Sequence, residues 1–131
     1  MIEQSQVMLH IVEACPSFRS AWEAHLLEYG NDVLYVAAGE LADHLLVLHR
    51  AGDSSTFPAL AAAIEQLHVN GSPWVQEFAT VGILEAVQNV WGNAGADPET
   101  FAIHLGPESL RWWKGLNNFW PGRAPIVVAS G

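Results

Sequence analysis

Basic residues are scarce. The chain of 131 residues holds 5 of them against 14 acidic ones, for a formal net charge of −9. With no Lys/Arg cluster to neutralise phosphates, nucleic-acid binding is disfavoured, and so is attraction to an anionic membrane surface. Cysteine occurs once, as Cys15, so no intrachain disulfide can form. No apolar run approaches the length of a bilayer span. The opening stretch MIEQSQVMLHIVEACP lacks a basic leader and carries Glu3 and Glu13. It does not read as a secretory signal, and the expectation is a cytoplasmic protein. There is no G-x-S-x-G and no glycine-rich phosphate loop.

Apolar residues, by contrast, make up half the chain, with six tryptophans among the rest of the core formers. A chain of this size reads as one domain, residues 1–131, with a substantial core. Each tryptophan hides a large area and needs one partner for its N–H.

The expected fold is all-α, six or seven helices in antiparallel hairpins around a central buried helix at about 72–91. That helix, SPWVQEFATVGILEAVQNVW, opens with Ser72 as N-cap and Pro73 at the first helical position, and it ends at the Gly92–Gly95 turn. At 100° per residue it has no clean polar side. Trp74, Phe78, Val81 and Glu85 share one arc. Val75, Ala79, Gly82, Ala86 and Val90 lie behind it. This places Glu85 as a buried structural polar residue among aromatics.

Before it, the spacing predicts a helix from Gln4 to Cys15 and a second one capped by Ser17, with Trp22, His25 and Tyr29 on its stripe. Asn31 or Asp32 caps a third, Val33 to His49, whose core face is Leu34, Ala38, Leu41, Leu45 and Leu48. Its far side carries Val36 and Val47 around Asp43. Burial of that side is the expectation, and a scaffold or dimer surface is the other option. A fourth helix runs to about Val69. After the central helix, Asp97-Pro98-Glu99 starts a short one and Gly106-Pro107-Glu108 the last. In that last helix Trp112, Trp113 and Trp120 read as core anchors, with Pro121-Gly122 as its stop. The tail, 123–131, reads as a docked strand or a flexible end. An echo between Ile64-Glu65-Gln66-Leu67 and Leu84-Glu85-Ala86-Val87 points to stacked hairpins of HEAT or armadillo type.

Chemistry is thin. Glu65 and His68 form one E-x-x-H, and Glu40 with His44 sits at i, i+4, so these four are the alternative metal ligands of a helical-bundle metalloenzyme. Carboxylate-bridged metal bundles need two such motifs and further inward glutamates, and only one motif is present. Ordinary amphipathic side chains explain the four residues more simply, and no metal or other cofactor is expected. Cys15 lies at a helix C-terminus, where the dipole disfavours a thiolate, so a buried structural role is expected.

Three stretches carry a resemblance. Ile64-Glu65, then Gly82-Ile83-Leu84-Glu85 with Gln88-Asn89, then Leu105-Gly106-Pro107-Glu108-Ser109 with Trp112-Trp113, resemble a small all-helical bacterial family of unknown function. Such proteins are similar to the immunity-type proteins of polymorphic and contact-dependent toxin systems. The resemblance spans roughly the second two-thirds of the chain, and its Leu-Gly-Pro…Trp-Trp ending is the most specific part. It transfers no catalytic residue. It implies a non-enzymatic protein that neutralises a basic toxin domain by binding it. The acids nearest loops, Asp32, Asp43, Asp53, Asp97 and Glu99, are the expected contacts.

Overall fold

In the computed structural model, residues 1–119 and 127–130 are described. Among them the chain is helical, without a strand. A 3-10 turn, Gln4–Gln6, leads into α1 (Val7–Ala14). A second, Pro16–Phe18, leads into α2 (Arg19–Tyr29), and then come α3 (Leu34–Arg50) and α4 (Phe57–Asn70). The central element follows as α5 (Pro73–Glu77), a π-helical segment (Phe78–Leu84) and α6 (Glu85–Asn93) without interruption. The short α7 (Glu99–Ala102) and α8 (Pro107–Phe119) complete the described helices. No helix among the described residues is long and apolar enough to cross a membrane.

The central position expected for 72–91 holds. α3 lies along α6 and the π segment, α4 packs on α5 and α8, and α8 returns to the π segment. α1 covers α4. Chain neighbours α2 and α3 also touch, but α3 packs far more on α6 than on its neighbour α4. The N-terminus is tied in by a single bridge: Ile2 N–H donates to the Asn70 carbonyl (2.7 Å), and Ser72 N–H donates to the Ile2 carbonyl (2.8 Å).

Ser72 caps the central helix as expected, its Oγ accepting from Val75 N–H (3.4 Å). The π segment was not legible in the spacing, and it changes which residues are buried. A straight helix continuing the buried Val75 and Ala79 would bury Ala86 and Val90. The extra residue in the wider turn advances the stripe by one position, about 100°. Val87 and Trp91 are fully buried instead, and Ala86 and Val90 are only partly so. Glu85 moves with this rotation. It is half-buried rather than buried, and no hydrogen bond to it is found among the described residues, so its expected structural role is corrected. Burial still pushes its carboxyl pKa up.

The core gathers around Trp91. Its Nε1–H donates to the Ala42 carbonyl (3.2 Å), its ring stacks on His49 (4.8 Å), and Phe57 and Phe101 meet it at wider angles. Three local expectations fail. Ser17 does not cap α2 but pairs through its Oγ with His44 Nε2 (2.8 Å). Neither Asn31 nor Asp32 caps α3, which starts from Val33 without a side-chain cap. Val36 and Val47 are exposed, not covered. Cys15 is buried as expected, with Sγ near Ser17 Oγ (3.6 Å) and Thr56 Oγ1 (3.8 Å).

The described part of the tail is docked but is not a strand. Ser130 N–H donates to the Arg111 carbonyl (2.8 Å), and Val128 passes directly over Gly115. A Cβ at Gly115 would lie 1.7 Å from the Val128 carbonyl oxygen. Gly115→Ala is therefore expected to expel residues 127–130 while α8 stays folded. Faster amide exchange confined to the tail is the expected readout, and unchanged protection there would count against the docking. Trp120, Pro121-Gly122 and the tail residues 123–126 and 131 lie outside the described residues.

Candidate functional site

The E-x-x-H on α4 is built into the start of α8. Proline at the first position of α8 gives up an N–H that no helix could satisfy anyway. The next two amides are taken by Glu65, whose Oε2 accepts from Glu108 N–H (3.1 Å) and whose Oε1 accepts from Ser109 N–H (2.9 Å) and Ser109 O–H (2.9 Å). A carboxylate borrowed from another helix thus does the work of an N-cap, facing the positive end of the α8 dipole. Gly106 makes the approach possible, since a Cβ there would lie 2.6 Å from the Glu65 carboxyl carbon. Burial alone would raise the Glu65 pKa. The Ser109 and Glu108 amides and the Ser109 hydroxyl outweigh it, and the pKa ends lowered.

His68 continues the chain of bonds. Its Nδ1 is 2.8 Å from Ser109 Oγ and its Nε2 is 2.8 Å from Thr80 Oγ1. Since the Ser109 hydroxyl donates to Glu65, Ser109 Oγ accepts from His68 Nδ1–H. Burial lowers the His68 pKa, against the opposing pull of Glu65 and Glu108, so the ring is neutral and Nε2 accepts from Thr80. The four side chains form one directed line, Thr80 to His68 to Ser109 to Glu65, joining the π segment, α4 and α8. His68, Thr80 and Ser109 are buried.

Two members of this line, His68 and Thr80, border a cleft of about 640 Å³, within the range of ligand sites. Glu77, Glu108, Trp112 and Val81 are among its walls, with Val127 of the tail at one side. The Trp-Trp pair therefore splits. Trp113 is a core anchor whose Nε1–H donates to Glu99 (2.9 Å), whereas Trp112 is half-buried and faces the cleft. A smaller cleft of about 430 Å³ lies beside Trp22, Met8 and Leu34.

The four alternative metal ligands are not brought together. Glu65 and His68 face α8. On α3, Glu40 Oε1 meets His25 Nδ1 (2.5 Å), and His44 turns to Ser17, with burial lowering its pKa. Among the described residues no three His, Cys, Asp or Glu side chains are placed to share a metal ion.

The expected contact acids are all exposed. Arg50 at the end of α3 donates to the Ala94 carbonyl (2.8 Å), and Phe57 at the start of α4 meets Phe101 of α7 (5.4 Å). These contacts bring the loops of Asp53, Asp97 and Glu99 to one end of the molecule. Asp32 lies at the other end of the 17-residue α3, roughly 25 Å away by helical rise. Three of the acids also hold local structure. Asp53 accepts from Ser55 O–H (2.6 Å) and N–H (3.2 Å), which lowers its pKa. Asp97 accepts from Glu99 N–H (3.0 Å), and Glu99 accepts from Trp113 and Asn117. Asp32 and Asp43 have no such duty among the described residues.

Sequence reasoning missed Ser109, Thr80 and Trp112. Glycine and proline ahead of Ser109 signalled a helix start, but the carboxylate that completes it comes from a residue more than forty positions earlier. The Leu105-Gly106-Pro107-Glu108-Ser109 stretch, which opens the Leu-Gly-Pro…Trp-Trp ending, is thus the half of this joint that Glu65 closes. No curated protein and no solved structure matches the chain. A family profile does, over residues 8–121, and the chain belongs to that family, described as a domain of unknown function, DUF7674.

Proposed function

We propose that this is a non-enzymatic binding protein that neutralises a basic bacterial toxin domain by direct contact through its acidic surface. The observation that supports the reading most is the charge distribution: 14 acids against 5 bases, with Asp32, Asp43, Asp53, Asp97 and Glu99 all exposed. Of the few bases, Arg111 is paired with Glu108 (2.9 Å), which offsets its charge locally. Such a field steers a basic partner and speeds encounter, an effect that salt weakens. The resemblance to immunity-type helical proteins points the same way.

Co-expression with basic toxin domains, taken first from any encoded by neighbouring genes, is the deciding experiment. Protected cells and a recoverable one-to-one complex are expected; cells that die as fast with the protein as without it sink the proposal. With the partner in hand, Asp32→Asn and Asp43→Asn together should slow association by about tenfold at low salt and leave the melting temperature unchanged. An unaltered association rate would move the contact surface elsewhere.

A further inference from the structure

The cleft between α4, the π segment and α8 is anionic and aromatic at its mouth and neutral at its base. Glu77 is exposed on its wall and carries no ion pair among the described residues. Glu108 lines it too, its carboxylate half-exposed and held by Arg111. The half-buried Trp112 ring stands in the same wall, and Val81 adds an apolar strip. Underneath, Thr80 and His68 are buried and bonded to each other. No positive charge at the base opposes an entering cation.

We infer that this cleft receives an arginine side chain presented by a loop of a protein partner. The inference rests on the proposed function and names the point of contact. Charge complementarity selects a cation, and Trp112 selects its shape. A guanidinium is planar and weakly hydrated, so it stacks on an indole face while its N–H groups donate to a carboxylate at the edge. Its aliphatic stem covers apolar surface such as Val81. A lysine ammonium has no plane to stack and holds its water more tightly. The cleft exceeds the volume of one side chain and leaves room for the residues that flank the arginine.

The test is a titration of the full-length, nitrogen-15-labelled chain with acetyl-Gly-Arg-Gly-amide, followed by nuclear magnetic resonance. Saturable shifts are expected at the Trp112 indole N–H and the amides of residues 76–81. The citrulline peptide, equal in shape but uncharged, should bind at least about tenfold more weakly. Glu77→Gln should weaken the arginine peptide by about three- to tenfold, while Asp53→Asn at the far end should not. Trp112→Phe keeps a ring and the fold, and it should give an intermediate affinity.

Equal binding of the arginine and citrulline peptides overturns the assignment. So does equal weakening by Glu77→Gln and Asp53→Asn, which would mean diffuse attraction to the whole surface. Agmatine binding far more tightly than the peptide would make the occupant a free cation rather than a partner's side chain. Cells protected from the toxin with no peptide in the cleft reject this site alone. A seated peptide with no protection rejects the toxin reading alone.

Discussion

Replacing Trp91 with alanine should remove about 3–5 kcal/mol of stability, the cost of emptying a large aromatic site in a core. Trp91 is 0% exposed, and its ring touches α3, α4 and α7 through His49, Phe57 and Phe101. None of these neighbours can fill the space, because each is held by its own helix. The substitution also deprives the buried Ala42 carbonyl of the indole donor. Single domains have total stabilities of about 5–15 kcal/mol, so the variant will sit near the edge of folding. Trp91→Phe keeps part of the volume and loses the N–H, and it should fall between. Urea unfolding followed by circular dichroism measures both. A loss below about 1 kcal/mol for the alanine variant would mean that the core closes over the gap.

The second large effect is expected at Glu65. Glu65→Ala strips three donors at the start of α8 of their acceptor, two of them backbone amides. Charge-assisted bonds of this kind are each stronger than neutral ones, but this carboxylate is partly exposed and water can replace it. A loss of about 2–3 kcal/mol is expected. It should come with raised amide exchange at Glu108 and Ser109.

The same joint gives a signed pH dependence. The folded pKa of Glu65 lies below its ordinary 4.5, so its contribution is complete above that value and is lost as pH falls through the lower folded one. His68 also has a lowered folded pKa, from 6.5. As a base buried neutral, it contributes fully above 6.5 and loses stability below it, since the unfolded chain takes up the proton first. Acidification should therefore weaken the fold in two steps. His68→Gln should remove the upper step and Glu65→Gln the lower. A stability curve flat from neutral pH to pH 4.5 would contradict the His68 assignment, and one that stays flat on further acidification would contradict the Glu65 assignment.

Residue order alone was enough for the helices, most of their ends and the central place of residues 72–91. Apolar spacing in Leu34, Ala38, Leu41 and Leu45, the proline starts at Pro73 and Pro107, and the Ser72 cap are local signals, and local signals are read along the chain. The single cysteine likewise rules out an intrachain disulfide before any coordinate is considered.

What the tertiary structure decided is whatever depends on distance in space. A wider turn at Phe78–Leu84 leaves no mark in residue types, yet it slips the buried stripe by one residue, bringing in Trp91 and releasing Glu85. The role of Glu65 could not be read from its own helix. Its partners lie across α8, and they convert a metal-like motif into a helix cap with a histidine behind it. The exposed acids looked equivalent in sequence, and packing sorted them: Asp53, Asp97 and Glu99 share one end and brace loops there, while Asp32 and Asp43 are left to the solvent. Trp112 and Trp113 are neighbours of the same type, and only the approach of α8 to the π segment makes one of them core and the other the wall of a cleft.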